Sequence, residues 1–114
     1  MKIRRFNVYL ADLSPRFGTE PGKTRPVVVI QTNLLNDEQH PSTIVCPITT
    51  QVIREAVILR VHLSKKGMGL KKDSDVLVDQ IRAIDNRRFV KHLGELRSAD
   101  KAKLIENLKI ILFE

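Results

Sequence analysis

A chain of 114 residues, 42% hydrophobic and 29% charged, has enough apolar side chain for an ordinary core, which excludes the composition of a disordered segment. Its 20 Lys and Arg against 13 Asp and Glu leave a formal charge of +7, so a polyanion or an acidic protein segment is the favoured partner. No stretch has the length of a membrane span, the charged start Met1–Arg5 runs into alternation instead of an export signal, and the single Cys46 excludes an internal disulfide, so a cytoplasmic setting is the expectation.

From Phe6 to Ala11, Phe6, Val8 and Leu10 alternate with Asn7, Tyr9 and Ala11, which predicts a half-buried strand. Leu13 to Arg25 has two prolines, two glycines and no period, marking a long exposed loop. Pro26 to Thr32 is a β-branched run opened by proline and reads as a central strand. Asn33 to Ser42 is polar with room for a helical turn. Thr43 to Thr49 is a third strand whose Pro47 predicts an edge or a bulge, and buried Cys46 lies within it.

Ala56 to Ser64 alternates again, with Val57, Leu59, Val61 and Leu63 expected inward and Arg60 and His62 outward. Lys65 to Ser74, with four lysines and two glycines, reads as a mobile basic loop. Asp75 to Ile84 returns to strand character, and Asp85 to Arg88 turns the chain. After a short Phe89–Leu96 segment, Ser98 caps a predicted helix with Leu104, Ile105, Leu108, Ile111 and Leu112 at helical spacing. Five or more short strands with one terminal helix predict a mainly β fold, a small barrel, because curling a sheet on itself removes exposed edges. There is no repeat, linker or low-complexity tract, so one domain over 1–114 is expected.

Chemistry concentrates where the first loop meets the second strand. Gly18-Thr19-Glu20-Pro21-Gly22-Lys23-Thr24-Arg25-Pro26 places a guanidinium at the junction of a glycine-containing loop and a rigid strand. An arginine fork there suits a phosphate and the charge that grows on it during transfer, although a surface salt bridge uses the same residue type. Glu20 is a base by type or an ion-pair partner of Arg25. His40, His62 and His92 are scattered, and no His, Cys or carboxylate set has metal-ligand spacing, so no metal and no cofactor are expected. Exposed Phe17 could stack on a base or cover the barrel mouth. Lys65 and Lys66 are either a solvated run or an RNA clamp. Gln80 satisfies a backbone group or bonds across a dimer, and Arg82 meets RNA or pairs with Asp79 or Asp85.

Taken together, G-x-E with R-P and an apolar strand, then Pro47-Ile48-Thr49-Thr50-Gln51, then Asp79-Gln80-Ile81-Arg82-Ala83-Ile84-Asp85, resemble in order and spacing the MazF/PemK/Kid toxins of type II toxin–antitoxin systems. The resemblance implies a CcdB/PemK-like barrel related to SH3 folds and a homodimer. It implies metal-independent cleavage of single-stranded RNA at short sequences, and inhibition by an antitoxin whose acidic, disordered tail fills the RNA groove. Carried over, Arg25 and Thr49 are catalytic and Glu20 organises the loop. Lys23, Thr24, Thr50 and Gln51 join Phe17, Gln80, Arg82, Lys65 and Lys66 as RNA-binding candidates. RNA brings its own nucleophile, the 2′-hydroxyl, so such an enzyme needs only to orient it, move two protons and stabilise charge. The family's Arg-Gly-Asp entry to the first strand stands here as Arg5-Phe6-Asn7, a departure that touches neither the Arg25 nor the Thr49 motif. Two other functions fit the fold: gyrase inhibition of the CcdB kind, and nucleic-acid binding without cleavage.

Overall fold

A computed structural model covering residues 1–114 shows seven strands and a C-terminal helix. The elements are β1 (Asn7–Asp12), β2 (Thr24–Val29), a short helix α1 (Asn33–Asp37), β3 (Ser42–Thr49), β4 (Arg60–Leu63), β5 (Ser74–Leu77), β6 (Arg82–Asp85), β7 (Phe89–Glu95) and α2 (Ser98–Phe113). Every pairing is antiparallel. Hydrogen bonding runs β4-β5-β3-β2-β1-β7, with β6 also on β3. The mainly β class with one terminal helix is as expected. The ladder, however, is open: β4 and β7 end it and do not pair with each other.

The central strands bury both faces. Val8, Val28, Cys46 and Ile48 belong to one cluster, completed by Val61, Leu63, Val76 and by Leu104 and Leu108 of α2. Their sequence neighbours Tyr9, Ala11, Val27, Val29 and Val45 belong to a second, with Leu13 and Ile84. Alternation in β1 therefore sorts residues between two cores, and the half-buried reading of Phe6–Ala11 is corrected. Phe6 itself sits before the strand at φ 65°, a left-handed conformation that a glycine would adopt without strain. The β1–β2 loop is also less exposed at its root than expected, since Leu13 is fully buried.

One register change explains two further corrections. Asp75–Ile84 is two strands, because β5 pairs with the end of β3 (Ile48 opposite Val76) and β6 with its beginning (Val45 opposite Arg82). Carrying the β5 register forward would set Asp79 opposite Val45. Arg82 stands there instead, three residues on, the length of the 3-10 turn Val78–Gln80. Pro47 falls in the gap where β3 changes partner, so its missing N–H is tolerated in a central strand without the predicted edge.

Four other readings shift. The strand read over Ala56–Ser64 begins only at Arg60, and Val57, Ile58 and Leu59 are exposed in the preceding turn. Phe89–Glu95, within the short segment before the helix, is a strand along β1. Ser98 is the first residue of α2 instead of its cap; Arg97 holds the cap position without a side-chain cap bond. Within Lys65–Ser74, Met68 is fully buried in the main core, between Gly67 and Gly69 at positive φ. No helix is long and apolar enough to cross a membrane.

Candidate active site

The long loop between β1 and β2 is held at its root. Leu13 N–H donates to the Lys23 carbonyl at 2.8 Å, closing the loop base. Arg88 reaches back across 74 residues of sequence to donate to the carbonyls of Asp12 (3.0 Å) and Ser14 (2.6 Å). Lys23 adopts φ 65°, which turns the chain into β2. Gly22 is buried against Arg16: a Cβ on it would lie 2.6 Å from the Arg16 Cβ, so only glycine allows that approach.

Gly22 also orients the arginine. Its carbonyl accepts from Arg25 Nε at 2.9 Å, while Arg25 has no carboxylate partner among the ion pairs of the fold. The terminal nitrogens of the fork are left for a ligand. Burial, then the nearby Arg16 charge, lower the Arg25 pKa below its ordinary value. An anion entering beside it would relieve both effects.

Thr49 ends β3, and its Oγ accepts from the Gln51 N–H at 3.1 Å. The β2–β3 register pairs Val27 with Pro47. Carried two residues past that last pair, it sets Arg25 opposite Thr49, where side chains project from one face of the sheet. Both line a cleft of about 750 Å³, together with Glu20, Lys23, Thr24, Thr50, Gln51 and Gln80. Arg16, Arg25, Lys23 and Arg60 face it against only Glu20 and Asp79, a balance that favours an anion.

These dimensions and charges can be set beside known proteins. The family model for the PemK-like, MazF-like toxin of type II toxin–antitoxin systems matches residues 4–112. This chain belongs to the PemK/MazF toxin family. It is 38% identical over 112 residues to Endoribonuclease EndoA of Bacillus subtilis, covering 98% of this chain and 96% of that one. Its fold superposes on MazF from Deinococcus radiodurans with a TM-score of 0.83 at 23% identity, covering 100% and 99% of the two chains. It also matches an endoribonuclease in complex with its cognate antitoxin from a mycobacterial species, TM-score 0.74 at 20% identity, covering 97% and 93%.

Within this PemK/MazF fold, the remaining candidates are dispersed. Glu20, although it lines the cleft, is half exposed and pairs with Arg82 at 3.8 Å instead of Arg25; Arg82 accordingly pairs with Glu20 and not with Asp79 or Asp85. Asp85 instead binds Arg87, whose bonds hold its carboxyl down at about 2. Phe17 is 76% exposed, next to Arg16 but outside the cleft lining. Lys65 and Lys66 are exposed beyond the Leu63–Ser74 end of the β4–β5 hairpin, whereas the cleft takes Arg60 and Leu77 from its other end. The structure does not bring these two lysines to the cleft.

Sequence reasoning missed Arg16, Arg60 and Asp79 as cleft residues. His62 is exposed, as expected of a surface residue, and its Nδ1 lies 2.6 Å from Oδ1 of Asp75, a fully buried carboxylate. Arg60 was legible as a cation on a strand, but its partner was not, because that partner is set by the β4–β5 register. No three His, Cys, Asp or Glu side chains converge in a set that could hold a metal ion. Cys46 is buried, and burial first, then the Asp79 charge, push its thiol up to about 12.

Proposed function

We propose that this chain is the toxin of a toxin–antitoxin pair and an endoribonuclease that cuts single-stranded RNA by attack of the ribose 2′-hydroxyl on the adjacent phosphate, with no metal in the mechanism. The observation that carries the reading is that Arg25 and Thr49 line the same cation-rich cleft. A phosphate seated there would accept the Arg25 fork and the Thr49 hydroxyl. As the 2′-oxygen closes on phosphorus, the developing charge would meet a guanidinium already oriented by Gly22, at no cost of reorganisation.

The proton balance assigns two transfers. The 2′-hydroxyl proton passes to a base, and the departing 5′-oxygen takes a proton, leaving a 2′,3′-cyclic phosphate and a 5′-hydroxyl. Arg25 is the donor in this scheme, and the lowering of its pKa is the direction that assists donation. In its ordinary charged form the guanidinium already holds its proton and has no lone pair to accept another, so Arg25 is not the base. Glu20, exposed and paired with Arg82, is an organiser of the loop in this reading and the base stays unassigned. Lys23, Thr24, Thr50, Gln51 and Gln80 hold neighbouring nucleotides along the cleft.

The relatives support this activity by what they are called: an endoribonuclease at 38% identity, and an endoribonuclease solved with its cognate antitoxin. By extension, an acidic antitoxin segment would occupy the same cleft, the toxin would act as a cytoplasmic homodimer, and cutting would be sequence-specific and arrest translation. The test uses purified protein with mixed-sequence RNA in excess chelator, followed by end-group analysis. Cutting that leaves cyclic phosphate and 5′-hydroxyl ends is expected, with none on strands carrying 2′-deoxyribose at the scissile position. Chelator-sensitive cutting, or cutting of the deoxy strand, would overturn the mechanism.

A further inference from the structure

The turn that follows Thr49 is tied to a buried carboxylate that none of the chemistry above uses. Asp75 stands opposite Thr49 in the β3–β5 register and has no solvent exposure. Its Oδ2 accepts from the Ile53 N–H at 2.9 Å and from Arg60 Nη1 at 3.0 Å. Its Oδ1 meets His62 Nδ1 at 2.6 Å, a separation suited to donation by the imidazole. Arg60 Nη1 donates in addition to the Gln51 carbonyl at 2.9 Å. The Gln51 N–H in turn donates to Thr49 Oγ.

These bonds form a chain from Asp75 through Arg60 to the Gln51 carbonyl, and from the Gln51 N–H to the Thr49 hydroxyl. Asp75 holds the far end of the turn directly, at Ile53. A fully buried carboxylate is costly without partners, and this one is satisfied by three donors, one from the turn after β3 and two from β4. Such an arrangement has one geometry, and the turn inherits it. A hydroxyl that must meet a phosphoryl oxygen at hydrogen-bond distance depends on that inheritance, since a misplacement of about 1 Å can cost about a hundredfold in rate.

We infer that Asp75 is a positioning residue for Thr49, acting through Arg60 and the backbone of Gln51–Ile53. Asp75 itself is buried behind the turn and touches no substrate. The inference rests on the proposed role of Thr49, so its experiment has one arm that needs no RNA.

In that arm, amide hydrogen exchange is compared in the wild-type chain and in Asp75→Asn. Ile53 and Gln51 are expected to exchange at least about tenfold faster in the variant, with Val28 and Cys46 of the central ladder unchanged. In the second arm, cleavage kinetics are expected to show kcat reduced between about tenfold and a hundredfold, with KM within about twofold, because the turn is displaced while the phosphate contacts of the cleft persist. Arg60→Gln serves where Asp75→Asn does not fold. It removes the bond to the Gln51 carbonyl, leaves Asp75 two N–H donors, and is expected to speed exchange at Gln51 more than at Ile53. Unchanged exchange at both amides overturns the tether. Faster exchange with unchanged kcat overturns the positioning of Thr49. Absence of any RNA cutting by the wild-type chain would sink the proposed function, and the exchange arm would still decide whether Asp75 holds the turn.

Discussion

Replacing Arg25 separates function from folding in a way that can be worked out from its surroundings. The fork has terminal nitrogens free for a phosphate, and two charge-assisted hydrogen bonds contribute about 1.5–3 kcal/mol each. Arg25→Ala should therefore lose about 3–6 kcal/mol of transition-state stabilisation, which at about 1.36 kcal/mol per tenfold is a rate reduction of about 10² to 10⁴. Arg25→Lys keeps the charge and one bond, and should fall between, about 10- to 10²-fold below the parent. Stability should behave differently. Arg25 forms no ion pair, and burial together with Arg16 disfavours its charged form in the folded chain. Removing it sacrifices the bond to the Gly22 carbonyl but also relieves that burden, so the two effects oppose each other and the net change should stay within about 1 kcal/mol. Single-turnover cleavage of a labelled RNA in chelator gives the first quantity, and thermal melting the second. A variant that melts far below the parent would make Arg25 a structural brace, and a variant that still cuts at the parent rate would remove it from the chemistry.

Other substitutions test the surrounding frame. Lys23→Gly should relieve left-handed strain of about 1–2 kcal/mol at φ 65° against a glycine entropy cost of about 0.5–1 kcal/mol, so melting should hold or rise. RNA binding by the same variant should weaken and its logarithmic salt slope flatten by about 0.7, as for one lost phosphate contact. Gly69→Ala combines φ 69° with a Cβ only 2.5 Å from the Leu93 carbonyl oxygen, and should destabilise by about 2–3 kcal/mol in a denaturant titration while cleavage well below the melting point is retained. Cys46 should resist a thiol reagent at pH 8 until the chain is unfolded. Because folding raises its pKa from 9.0 to about 12, folding favours the protonated thiol, and that contribution is intact below about pH 9 and lost as pH rises towards 12. Stability of Cys46→Ala should accordingly decline less steeply over that alkaline range than that of the parent.

Much of the cleft was readable without coordinates because its residues come in two short contiguous runs. Lys23, Thr24 and Arg25 adjoin the start of β2, and Thr49, Thr50 and Gln51 leave the end of β3, so local sequence carries most of the lining. What was not readable depends on registers between distant strands. Glu20 finding Arg82, Arg88 pinning the loop root, and Asp75 gathering Arg60 and His62 are all pairings across the fold, and side-chain type gives no hint of them. Lys65 and Lys66 illustrate the converse: a basic run has the right charge for RNA, yet hairpin geometry sends it to the end away from the cleft.

For this protein, hydropathy periods, proline and glycine placement and the three motif segments were enough to establish a mainly β chain with a terminal helix and to point to Arg25 and Thr49. Those features are local: a period of two or 3.6 residues is set by backbone geometry within a few neighbours. Tertiary structure alone decided that Asp75–Ile84 breaks into two strands on one side of β3, that Pro47 sits in the gap between them, and that a fully buried carboxylate braces the turn after Thr49. Those outcomes follow from which strand each edge meets and at what offset. An antiparallel offset of one residue exchanges a strand's faces, so the arrangement of charge around the cleft exists only once every partner is in place.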